Sequence, residues 1–146
     1  MKIRLLLLTA VFALVAGPAV RAADEPETEL GQKMEKVGGA FRALRRQISD
    51  PAKNADSLSR LATMRENLQA ALKLEPAKKA EIPAADQKKF VADYQAEMKR
   101  FIGLIEKVEA ALKAGNNDEA SKLVSQMGDD QKKAHKQFKK DDKKKR

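Results

Sequence analysis

The chain has no cysteine and no tryptophan, a single histidine and a single tyrosine, and only 4% of its 146 residues are aromatic. Without cysteine there is no disulfide scaffold, no thiolate metal site and no cysteine nucleophile. A covalent c-type haem, which needs C-x-x-C-H, is excluded as well. One histidine rules out a multi-histidine metal cluster and leaves a catalytic triad only one base to draw on. No stretch alternates apolar and polar residues with period two, so no strand is predicted. Hydrophobic residues make up 42% of the chain, enough for the core of one domain. Lys and Arg number 30 against 21 Asp and Glu, a net charge of +9 that invites a nucleic-acid reading.

No apolar run is long enough to span a bilayer, which takes about 20 residues. The longest, Leu5 to Gly17, follows the basic start Met1-Lys2-Ile3-Arg4 and precedes Val20-Arg21-Ala22. That order of basic start, short apolar run and small residues is the pattern of a secretory signal peptide. Residues 1–22 are therefore expected to be removed after Ala22, placing the protein in the periplasm without stable membrane insertion. An uncleaved anchor is the alternative, and the short run argues against it. Removal takes Lys2, Arg4 and Arg21 and no acid, so +9 becomes +6. An exported protein has little access to chromosomal DNA.

The remainder, 23–146, reads as one all-α domain. Leu30, Met34, Val37, Phe41, Leu44 and Ile48 step by three and four along one helical face. Ser49-Asp50-Pro51 ends that helix, because the residue before proline resists helical geometry. Asn54 or Asp56 is placed to cap a second helix carrying Leu58, Leu61, Met64, Leu68 and Leu72. Glu75-Pro76 stops it. A third carries Phe90, Tyr94, Met98, Phe101, Ile105, Val108 and Leu112. Gly115-Asn116-Asn117 then reads as a C-cap followed by an N-cap. The fourth carries Ala120, Leu123, Val124, Met127, Ala134 and Phe138. The predicted spans are about 26–49, 54–74, 84–114 and 117–141. Four such helices with short links fold most simply as an antiparallel up-down-up-down four-helix bundle. Helices 1 and 4 are then antiparallel neighbours.

That arrangement brings Met34 and His135 to the same end of the bundle, at heights differing by roughly 6 Å. A thioether facing an imidazole is a good axial pair for haem iron. The bland reading is a core methionine and a solvated histidine favoured by the helix C-terminal dipole. Gly38-Gly39-Ala40 below Met34 suggests either close helix packing or room for something flat. Met64, Tyr94, Met98 and Phe101 are available as apolar and aromatic walls.

These residues resemble the cytochrome b562 family, over roughly residues 28–140. Leu30 to Val37 matches the family's L-x-x-x-M-E-x-x, with Met34 at its axial methionine. Met64-Arg65 resembles its K-M-R segment, whose methionine packs against haem. Phe101 with Leu104, and Ala110-Ala111-Leu112-Lys113, match F-x-x-L and A-L-K. Ala134-His135-Lys136-Gln137-Phe138 is similar to its A-Y-H-Q-K-Y ending, and Ile48 to Asn54 has a form common among divergent members. Cytochrome b562 is itself a standard instance of the up-down-up-down bundle, so the two fold expectations are not independent. There are departures: Gln131 stands where the family has arginine four residues before its axial histidine, and Gly38 where it has a polar residue after the methionine. Lys139 holds the basic position four residues after the histidine, leaving it or a neighbouring lysine to meet the haem propionates.

The resemblance implies a periplasmic electron carrier, not an enzyme, holding haem b non-covalently. Met34 and His135 would be the iron ligands, with Met64 and Phe101 also binding the cofactor. Asp130 or Asp142 is a candidate partner for the other imidazole nitrogen. A monomer is expected, with an unidentified redox partner, an anionic one fitting the basic end, and no nucleic acid. The alternative is a haem-free exported adaptor or stress protein of the same fold. The basic run Lys132 to Arg146 is interleaved with Asp141 and Asp142 and has only Phe138 as an aromatic, a poor nucleic-acid reader.

Overall fold

The computed structural model describes residues 28–140. The predicted signal peptide, the first residues of the predicted helix 1, Asp142 and the last basic residues lie outside that range. The described chain is helical, with four α-helices: α1 (Glu29–Gln47), α2 (Asn54–Ala71), α3 (Ala84–Lys113) and α4 (Asn117–Phe138). Two short 3₁₀ turns, Pro51–Lys53 and Ala77–Glu81, lie in the connections. No described helix is long and apolar enough to cross a membrane.

The apolar stripes predicted from spacing form one core. Val37, Phe41 and Leu44 of α1, Leu61, Met64 and Leu68 of α2, Tyr94, Phe101, Ile105 and Val108 of α3, and Val124 and Met127 of α4 are all buried in it. Backbones approach closely between α1 and α2, α2 and α3, and α3 and α4, whereas α1 and α4 are not among the closely packed pairs. Contact numbers fall on one helix as they rise on the next: Arg65 pairs with Glu109 and Ala71 with Tyr94. On α3 and α4, Arg100 pairs with Asp130 and Phe90 with Phe138.

The helix ends show where local chemistry acts. The α3–α4 turn is a Schellman motif: Gly115 at φ 71° lets its own N–H reach Leu112 O and the Asn116 N–H reach Ala111 O. The Asn116 side chain then accepts from the Glu119 N–H at 3.1 Å and caps α4, as the sequence predicts. The predicted capping of α2 is not seen. Lys53 precedes the helix and gives no side-chain cap. Asn54 instead reaches across to Asn117, and Asp56 accepts from Gln47 and Arg60. Tertiary partners outbid the local cap. α2 also stops before residue 74, because Lys73 and Leu74 bond back three residues, to Ala70 and Ala71, in a tighter turn. The Tyr94 hydroxyl and the Gln95 amide donate to Ala71 O and Leu72 O at that end.

Opposite ends of the bundle differ. At the end holding the α1–α2 connection and the α3–α4 turn, the Asn117 amide donates to Ile48 O and to Asn54 Oδ1, both at 2.8 Å, and clasps α4 to the α1–α2 connection. At the other end the close of α4 is held to α3 and the long connection by Phe138 against Phe90 and Tyr94 and by Lys78 Nζ donating to Lys136 O. The N-terminal half of α1 has no such tie there; Leu30 and Met34 only pack partly buried against the core.

Candidate functional site

The α1–α4 seam holds both predicted ligand positions. Two contacts set its register. The Asn117 bond to Ile48 O fixes the clasped end. Farther along, Gly128 faces Phe41, where a Cβ on the glycine would lie 3.9 Å from the ring's Cζ. Seven residues are about two turns, so positions seven apart share a helix face. Seven residues before Phe41 is Met34; seven after Gly128 is His135. Met34 is half-buried on the inner side of α1, and His135 is exposed in the last turn of α4.

The four predicted wall residues are inside the core. Met64 is fully buried on α2, and Phe101 of α3 meets Phe41 edge-on, with centroids 6.3 Å apart. Phe41 was legible in the sequence only as a core residue. Its place one heptad below Met34, between Phe101 and Gly128, makes it the ring that floors the seam. Tyr94 and Met98 are buried too; burial drives the Tyr94 hydroxyl up to about 12, so it stays a proton donor to Ala71 O.

Loss of surrounding water lowers the pKa of His135 from its usual 6.5, and the positive charge of Lys139 one turn on adds to this. The ring is therefore neutral at pH 7, the form in which imidazole binds a metal. Asp130 is not its partner. It lies about 140° around α4 from His135 and is buried under Arg100, which donates to it at 2.8 Å and holds its carboxyl below the usual range. Asp130 and Glu109 are buried acids, each met by an arginine from the neighbouring helix.

The glycine pair is not a site of close helix packing. A Cβ on Gly38 or Gly39 would meet only the Arg42 guanidinium of the same helix, at 3.6 and 4.0 Å, and no neighbouring helix. Gly38 lies about 40° and Gly39 about 140° around α1 from Met34, and α1 and α4 are not among the closely packed helix pairs. Neutral sulfur and nitrogen donors beside a buried aromatic floor suit a flat, largely apolar group.

A comparison with protein-family profiles matches Cytochrome b562 over residues 29–139, almost all of the described chain. No curated protein matches the chain.

Proposed function

The chain belongs to the cytochrome b562 family, and from that premise we propose that it is a periplasmic one-electron carrier holding haem b non-covalently between Met34 and His135. The observation that carries the assignment is the shared register of the seam. The contact between Phe41 and Gly128, stepped one heptad on each helix toward the unclasped end, supports a methionine facing the histidine. The descending contact numbers between successive helices support the antiparallel up-down-up-down order that this pairing needs.

Bound haem supplies an Fe(II)/Fe(III) couple. The protein's part is to hold it. Met34 offers a soft, neutral thioether, which favours the reduced state. His135 offers an imidazole kept unprotonated by its surroundings. Met64, Phe101 and Phe41 exclude water from below. With Met34 and His135 both holding the iron, no position would remain for oxygen or substrate, which favours shuttling electrons over catalysis. Export through the predicted signal peptide puts this work in the periplasm.

Titration of the purified protein with haem tests the assignment. The expected product has a six-coordinate, low-spin absorption spectrum. Met34→Ala is expected to turn it high-spin, and His135→Ala to lose haem while keeping the helical circular dichroism. A wild-type protein without low-spin absorption at saturating haem would overturn the reading.

A further inference from the structure

Six arginines fall among the described residues. Arg60, Arg65 and Arg100 are each paired with a carboxylate. Arg42, Arg45 and Arg46 are paired with none among the described residues. All three are exposed, and together they line one open concavity of about 310 Å³ on α1. Two of the three guanidiniums have defined seats. Arg45 lies 5.9 Å from the centroid of the Phe41 ring, and Arg42 lies over the bare backbone of Gly38 and Gly39. The helix dipole favours cations in the last turn of α1, where Arg45 and Arg46 sit. It explains neither Arg42, which lies earlier, nor the lack of a carboxylate beside any of them.

We propose that Arg42, Arg45 and Arg46 form the docking site for a carboxylate-rich surface of a protein partner. The guanidinium fork matches a carboxylate with two parallel hydrogen bonds, and pre-seated side chains lose less freedom on binding. Placement gives the site its use. Arg45 rests on the ring that floors the seam, and Arg42 covers the glycines just after Met34, so a partner held there stands beside the proposed haem. That last step rests on the haem reading; the docking itself does not. A membrane is the poorer fit, because an interfacial helix needs an outward apolar face, and Val37, Phe41 and Leu44 are buried. Single-stranded nucleic acid would need exposed rings to stack on, and Phe41 is covered.

The test uses fluorescein-labelled hexaglutamate and haem-free protein, read by fluorescence anisotropy at low salt. The triple variant R42Q/R45Q/R46Q is expected to bind about tenfold more weakly, and R42Q alone about threefold. The variant K132Q/K133Q/K136Q removes equal charge from α4 and is expected to bind within about twofold of wild type. Equal losses in both triple variants would reduce the effect to net charge and overturn the proposal. So would unchanged binding by the arginine variants, displacement of the peptide by equimolar inorganic phosphate, or arginine-dependent binding to phosphatidylglycerol vesicles without binding to the peptide. A haem titration of the same variants separates the two claims. Arginine-independent peptide binding with a normal low-spin spectrum removes only the docking site; arginine-dependent binding with no haem spectrum in the wild type removes only the haem reading.

Discussion

At the scale of single residues, His135 is the most informative side chain and also the one most exposed to pH. Its pKa is lowered from 6.5 by desolvation and by Lys139, so the folded chain takes up the proton at lower pH than the unfolded chain does. The sign follows from linkage. Above about pH 6.5 the group contributes nothing; as pH falls below that value the unfolded state gains protons first and the haem-free protein loses stability. The same proton competes with iron for the folded ring's nitrogen, so haem affinity is expected to hold through about pH 6.5 and to weaken only as pH falls past the ring's lowered midpoint. Proton NMR of the lone imidazole reads this directly. The midpoint should lie below 6.5 in the haem-free protein and rise in Lys139→Gln, and a midpoint at or above 6.5 would contradict the desolvated site. Asp130 titrates the other way: Arg100 holds its carboxyl low, so its contribution is full above about pH 4 and is lost as pH falls further. Spacing along the chain made the histidine visible because it is unique. It could not show that Asp130 and Glu109 turn inward, since their partners, Arg100 and Arg65, come from other helices.

At the scale of elements, the helices were legible because each repeats apolar residues every three or four positions, and their interiors lie where that period places them. The ends were legible only where the signal is local. Gly115-Asn116 forms the predicted cap pair because a left-handed glycine and an asparagine side chain need only their own neighbours. Asn54 could not be read correctly, because its partner Asn117 lies 63 residues away. That clasp is the stronger determinant of the end. Asn117→Ala leaves the buried Ile48 carbonyl and the Asn54 amide without their donor and acceptor. It is expected to cost about 1–3 kcal/mol in urea unfolding. Asn54→Ala, which spares the bond to Ile48, is expected to cost less. The reverse order would mean that the bond between the two side chains, rather than the tie to α1, secures this end.

At the scale of the whole molecule, the bundle is unevenly closed. Three neighbouring helix pairs pack closely; α1 and α4 do not, and their seam is clasped at the Asn117 end. Sequence periodicity predicts four stripes and cannot say which pair packs least closely. Local stability should follow this asymmetry, since segments with few buried contacts open at the lowest free energy. In hydrogen exchange of the haem-free protein, the amides of residues 29–37 are expected to exchange before those of α2 and the middle of α3. A ligand held across the seam stabilises only the states in which both α1 and α4 are in place, by about 2.7 kcal/mol at a free concentration 100 times its dissociation constant. Haem should therefore slow exchange most in 29–37 and in the last two turns of α4, and narrow the gap between them and the core. Equal slowing everywhere would mean that haem acts on global unfolding alone. Protection centred on α2 and α3 would put the cofactor on another seam and remove Met34 and His135 as its ligands.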